Sequence, residues 1–156
     1  MATVPAEPER LVPGEVVPGA TPIVANPGRP TVTLRVLNTS VWPVHVSSHY
    51  HFFEANRRLR FDRAAAFGMR LDILAGATVR WEPGEEKDVR LVEFAGRRHV
   101  HGFNGLVDGP LTSETKAAAL ARLRARGFLD AGAHEATRDD GRRAARSARA
   151  GGEPAR

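Results

Sequence analysis

Short alternating runs of apolar and polar residues, cut every few positions by proline or glycine, leave this chain little room for anything but small antiparallel sheets. Residues 31–37 read Thr-Val-Thr-Leu-Arg-Val-Leu, which predicts a strand with one buried and one wet face. Residues 43–47 alternate in the same way and run into Ser48-His49-Tyr50-His51-Phe52-Phe53-Glu54. Residues 78–81 and 89–94 read as strands around the turn Glu82-Pro83-Gly84-Glu85. Residues 21–25 read as a short strand ended by Asn26-Pro27-Gly28-Arg29-Pro30, residues 70–74 as a short stretch apolar at alternate positions, and residues 98–103 as a last strand. Within this series, Asp62-Arg63-Ala64-Ala65-Ala66-Phe67 predicts one helical turn, capped by the Asp62 carboxylate and stopped by Gly68. Many short strands without alternating long helices predict a mainly β chain, with a single small antiparallel β-domain over residues 21–112, rather than βαβ units.

The two ends differ from this middle. Residues 1–20 are rich in proline and predict an extended arm without a core of its own. Residues 113–128 predict a C-terminal helix: Thr112, Ser113 and Glu114 suit its start, the Ala117-to-Arg126 run has high helix propensity, and Gly127 suits its stop. Leu120 and Leu123 share one face, a narrow stripe that packs on a partner or on the chain's own domain. Residues 129–156, biased to Arg, Ala and Gly, predict a disordered tail.

The net charge of +5 is uneven, because residues 113–156 hold ten of the cations against six carboxylates. Such an end can attract nucleic acid or an acidic partner. Beyond Phe128 no aromatic is interleaved there to stack on bases, so a solvated end is expected and no specific nucleic-acid partner. The chain has no cysteine, which excludes disulfides and thiolate metal sites and suits a reducing compartment. Its first residues are too polar for a signal peptide and no apolar run reaches the roughly 18 residues of a membrane span. A cytoplasmic chain with no membrane partner is the expectation.

Histidines offer the one hint of chemistry. On an extended segment His49 and His51 project to the same face, and His99 and His101 repeat that spacing. Imidazoles on adjacent strands can ligate zinc, nickel or iron. The His-x-His-x2-Glu order is similar to that of cupins, β-barrels that hold a metal with such residues, so a stand-alone cupin-like metal-binding barrel using His49, His51 and His99 is the alternative reading. Against it, the cupin carboxylate falls at Ala55 or Asn56 here, and Glu54 lies opposite His51 if the strand continues. Otherwise Tyr50, Phe52 and Phe53 pack in a core or interface, with the histidines bonded to nearby backbone. No nucleophile elbow, P-loop or dinucleotide fingerprint is present.

A fixed order of motifs decides between these. Pro13-Gly14-Glu15, Asn26-x-Gly28-Arg29, Val36-x-Asn38-Thr39, Ser48-His49-Tyr50-His51-Phe52-Phe53-Glu54 and Asn56 are followed by Leu59-x-Phe61-Asp62-Arg63. Then come Gly68-Met69-Arg70-Leu71-Asp72-Ile73, Glu82-Pro83-Gly84-Glu85 and Gly102-Phe103-Asn104. Together, over about residues 11–112, they resemble the small beta subunit of bacterial urease. The resemblance implies a structural, non-catalytic subunit of an enzyme that hydrolyses urea to ammonia and carbamate. It implies no catalytic residue and no cofactor on this chain, the two nickel ions lying in the partner alpha subunit. Implied partners are the alpha and gamma subunits, assembled as a trimer of αβγ units, and the accessory proteins of nickel loading, for which the arm and the Arg-rich tail are candidate docking segments. Trp42, His49, Tyr50, His51, Phe52, Phe53, Phe103 and Asn104 are the expected subunit-interface residues. Where the family commonly has Gly-Asp-Arg-Pro, this chain has Ser40-Val41-Trp42-Pro43, so Val41 and Trp42 are expected to be covered by a neighbouring subunit or by the arm.

Overall fold

Alternation at residues 31–37 becomes a central strand because its apolar positions find one sheet face and its polar positions water. In the computed structural model, which describes residues 12–132, β1 spans Thr31–Asn38, with Leu34, Val36 and Asn38 buried while Thr31, Thr33 and Arg35 are exposed. It lies between β3 (Leu59–Arg60) and β6 (Glu86–Glu93), and β4 (Met69–Leu71) closes the far edge of β6. All pairings in this four-stranded sheet are antiparallel, with Leu34 opposite Val89 and Val32 opposite Leu91. A second ladder pairs β2 (Val44–Ser47) with β5 (Thr78–Trp81), placing Val46 opposite Val79. A third pairs β7 (His99–Val100) with β8 (Gly109–Pro110). The architecture is mainly β, with a single α-helix, α1 (Ser113–Ala125), among the described residues.

Two apolar clusters result. The larger gathers Leu34, Val36, Val44, Val46, Phe52, Phe61, Trp81 and Leu91 between the sheets. The smaller joins Phe53, Val100, Leu106, Val107 and Leu111 to Ala119 and Leu123 of α1. The helix therefore packs on its own domain. Its start is fixed by Thr112, whose Oγ1 accepts from Thr115 N while Thr115 Oγ1 accepts from Thr112 N, a reciprocal cap. Gly127, at φ 68°, turns the chain out of the helix.

Several expectations require correction. Residues 21–25 form no strand, and Ile23 is 95% exposed. A strand needs a neighbour for its N–H and C=O groups, and no described strand pairs with residues 21–25. The expected strand at 98–103 shrinks to two residues, and its partner β8 was hidden in an Asp108-Gly109-Pro110 run that reads as a turn. The two-residue β3 was also unforeseen. The described part of the arm, residues 12–20, is exposed and holds no helix or strand. The expected disordered tail at 129–156 is corrected at its start, where Leu129 N donates to Arg57 O at 3.0 Å and Ala131 N to Phe61 O at 2.9 Å; residues 1–11 and 133–156 lie outside the described residues.

The helical turn at 62–67 forms as expected, with Asp62 Oδ1 accepting from Ala65 N at 2.9 Å and Asp62 O accepting from Ala66 N at 3.3 Å. Gly68 then takes φ 73°. A Cβ there would lie 3.2 Å from Arg98 Nη2 and 3.7 Å from Leu111 Cδ1. Gly68→Ala should lower unfolding stability by about 1–2 kcal/mol, mostly through the left-handed backbone. An unchanged urea midpoint would show that the turn does not depend on glycine.

Candidate functional site

The strand β2 ends at Ser47, and from Ser48 onward the chain turns instead of continuing extended. Tyr50 N donates to Ser47 O at 3.2 Å, and Phe52–Glu54 form one 3-10 turn, with Glu54 N donating to His51 O at 2.9 Å. This corrects the expectation that His49 and His51 share a face: His49 is exposed and His51 fully buried. Glu54 is likewise not opposite His51. Three-residue periodicity stacks the two side chains, bringing Glu54 Oε1 to 2.9 Å from His51 Nδ1 with both residues enclosed. The turn also sends neighbouring rings into different cores, Phe52 into the larger cluster and Phe53 into the smaller.

Hydrogen bonds fix the state of this pair. His51 Nε2 accepts from Gly68 N at 3.0 Å, so the ring carries its proton on Nδ1 and donates to Glu54. The other carboxylate oxygen, Oε2, accepts from Leu106 N at 2.9 Å and Asn104 N at 3.2 Å. Each polar side-chain atom of the pair is matched, and the pair ties the 3-10 turn to Gly68 and to the loop at 102–106.

Beside it lies Arg63, fully buried and unnoticed by sequence reasoning beyond its place in a motif. Nη1 donates to Phe53 O and Ala55 O at 2.8 and 2.7 Å, Nη2 to Asn56 O and Leu59 O at 3.0 and 2.7 Å, and Nε to Leu129 O at 3.0 Å. The guanidinium lies 4.0 Å from the centre of the Phe61 ring and 5.3 Å from that of Phe128, an arrangement that favours a planar cation. Burial pulls it down to about 9, opposed by Asp130, so it remains charged at neutral pH. Four of the five acceptors lie where the chain passes from the 3-10 element into β3, and the fifth, Leu129 O, follows α1. Their spacing carries no local sequence signal.

Above these buried groups is the exposed surface. Gly102-Phe103-Asn104-Gly105 is a turn in which Phe103 itself has φ 49°, a left-handed conformation rare for a bulky residue, and its ring is 41% exposed. Phe103 packs edge-on against Tyr50, with centroids 4.9 Å apart. Asn104 Nδ2 donates to Glu54 O at 2.7 Å and Tyr50 Oη at 3.2 Å. Burial, then Glu54, against a smaller opposing effect of Arg63, holds the Tyr50 phenol above its ordinary range.

Separately, the loop at 39–43 is held by buried Asn38, whose Nδ2 donates to Trp42 O at 2.9 Å and whose Oδ1 accepts from Ser40 N at 3.0 Å. It presents Val41 and Trp42 at 78% and 74% exposure, and the described part of the arm leaves both open. Of the eight expected interface residues, Trp42, His49, Phe103 and Asn104 are exposed and Tyr50 is half-buried, whereas His51, Phe52 and Phe53 are enclosed by the chain itself.

The described histidines do not assemble a metal centre. His51 has both nitrogens engaged, and His49 Nδ1 is 2.8 Å from Ser48 Oγ, which itself accepts from Gly76 N. His99 and His101 stack on the surface at 6.4 Å, with Nδ1 atoms facing Arg97 O and Asp108 Oδ1 respectively. Among the described residues no group of three or more His, Asp or Glu side chains is placed to hold a metal ion. No helix among them is long and apolar enough to cross a membrane.

Comparison with known proteins places these features. A family model for the urease beta subunit matches residues 13–110. The chain is 54% identical over 131 residues to urease subunit beta of Haloarcula marismortui, covering 84% of this chain and 93% of that protein. It is 52% identical over 120 residues to urease subunit gamma/beta of Pseudomonas syringae pv. tomato, covering 76% of this chain. It is 47% identical over 131 residues to urease subunit alpha of Helicobacter pylori, covering 84% of this chain. It spans about half the length of those last two relatives, 52% and 53%.

Proposed function

The chain belongs to the urease beta subunit family, and we propose that it serves the urease complex as a non-catalytic subunit, bracing the alpha subunit while urea is hydrolysed to ammonia and carbamate. One observation supports this above others: the residues with the most chemical potential, His51, Glu54 and Arg63, spend every polar atom on the chain's own backbone and on each other. Such groups shape a surface rather than attack a substrate. The two nickel ions of the enzyme do not fit these donors, and we assign them to the alpha subunit.

Contact with partners falls to the exposed residues above this framework. Trp42, His49, Tyr50, Phe103 and Asn104 meet the alpha or gamma chain, with His51, Phe52 and Phe53 fixing the segment from beneath. The gamma/beta and alpha-named relatives, in which this sequence fills about half of a longer chain, support close association with other urease segments. Assembly as a trimer of αβγ units follows the same reading, as does docking of the nickel-loading accessory proteins on the two terminal segments. We place the complex in the cytoplasm, the reducing compartment that a cysteine-free chain suits.

Co-expression with the alpha and gamma subunits and the loading proteins, with and without this chain, tests the reading. Urea hydrolysis and a large assembly should both require it, and the isolated chain should hydrolyse no urea. Stoichiometric metal on the isolated chain, with assembly intact in its absence, would favour the cupin-like alternative. Trp42→Arg should weaken assembly about tenfold or more, since a central aromatic anchor is worth roughly 2 kcal/mol at an interface. Equal complex mass at limiting subunit concentration would remove Trp42 from that role.

A further inference from the structure

Beside the Tyr50–Phe103 surface, Asn56, Arg57, Asn104, Arg126 and Phe128 line an open depression of about 610 Å³. No carboxylate lines it; Glu54 has both oxygens committed beneath the surface, and Asp130 Oδ1 accepts from Arg63 N and Gly132 N. The Arg57 guanidinium forms no hydrogen bond or ion pair among the described residues, and Arg126 uses only Nη1, on Asn104 O at 2.6 Å.

The cations stand on a rigid floor. Arg57 O accepts from Leu129 N at 3.0 Å, Asn56 O accepts from Arg63, and Asn104 is bolted to Glu54 and Tyr50. Phe128 forms an apolar wall that Arg63 supports from behind. A guanidinium fork held on Asn104 O, that of Arg126, and a second at Arg57 beside an aromatic wall match a carboxylate with a short apolar stem. The space exceeds what one inorganic anion fills, and the exposed Phe103 ring beside Asn104 extends it with the kind of surface a peptide covers.

We propose that this depression receives an Asp- or Glu-bearing segment of a partner chain of the urease complex, Arg57 and Arg126 clamping the carboxylate. The proposal rests on the assignment of the chain as a urease subunit and deepens it. Charge argues against the chain's own C-terminal segment as occupant, because residues 133–156 carry six arginines against four acidic side chains.

The test measures the affinity of the full chain for the co-purified remaining urease subunits at low and high salt. It compares wild type, Arg57→Glu/Arg126→Glu, Arg57→Gln/Arg126→Gln and a control, Arg29→Glu/Arg97→Glu, at exposed arginines outside the depression. The double Glu variant should bind at least about thirtyfold more weakly, the Gln pair should also weaken binding and flatten its salt dependence, and the control should stay within about threefold. Should the Glu pair fail to fold, the Gln pair decides by the same criterion. Wild-type affinity and salt dependence in a folded variant would overturn the proposal while leaving the subunit reading intact. So would unchanged subunit affinity combined with inorganic phosphate raising the melting temperature of wild type but not of the variants, which marks a small-anion site. If wild type itself does not bind, the subunit reading falls and takes this proposal with it.

Discussion

Arg63→Met should cost the chain on the order of 5 kcal/mol, enough to leave much of it unfolded at room temperature. Backbone carbonyls of Phe53, Ala55, Leu59 and Leu129 lose the Arg63 donor together, while Asn56 O keeps its bond from Leu59 N. Each buried acceptor left unpaired costs about 1–3 kcal/mol. The gross sum is offset by release from burying a charge, an expense of several kcal/mol. The remainder is still large beside the 5–15 kcal/mol that holds a typical domain together. Arg63→Lys separates charge from geometry. An ammonium retains the positive charge but has only three donors and no planar fork to lie against Phe61 and Phe128. It should recover only a minor part of the loss. Urea unfolding of both variants measures this, with amide hydrogen exchange expected to accelerate first at residues 54–59 and 129–131. A Lys variant as stable as wild type would mean that the charge, not the fork, organises the turn.

Glu54→Gln comes second, at about 2–4 kcal/mol. Glu54 accepts from His51 on one oxygen and from two backbone N–H groups on the other. A glutamine can offer an oxygen to only one side. With its NH2 toward Asn104 N and Leu106 N, donors face donors. With its NH2 toward His51, the ring must move its proton to Nε2, which then confronts Gly68 N–H. Neither orientation satisfies the network, so the isosteric change should be nearly as damaging as Glu54→Ala. The loop at 102–105 should loosen, read as loss of the Tyr50–Phe103 ring contact in aromatic proton shifts, and complex assembly should weaken with it. A Gln variant with an unchanged urea midpoint would show that Glu54 is protonated in the folded chain and donates, contrary to the bonding of its two oxygens.

These two sites mark the reach of sequence reading. Arg63 and Glu54 both sit in motifs that identify the family, yet neither stands out by residue type, because an Arg or Glu is more often found on a solvated face. Arg63 meets Leu129 across 66 positions, and Glu54 meets Leu106 across 52. No local periodicity carries such distances. The misplaced strand at residues 21–25 fails for a related reason: alternation shows that a segment can be half-buried, not that another strand pairs with it. The His51–Glu54 contact was missed because a two-residue period was extended through a segment that turns with a period of three.

What the sequence by itself determined is what depends on near neighbours. Alternation placed β1, β2, β5 and most of β6, and Thr112 and Gly127 bounded α1. The ordered set of turn glycines, prolines and aromatic motifs identified the urease beta subunit family, which matches residues 13–110. Tertiary structure alone decided that Phe52 and Phe53 enter different cores, that a histidine–glutamate pair and a guanidinium saturate the turn between them, and that Trp42, Phe103, Arg57 and Arg126 remain at the surface. The physical reason is desolvation. A polar side chain is tolerated inside only where distant backbone donors and acceptors converge on it, and that convergence exists only once the chain has folded.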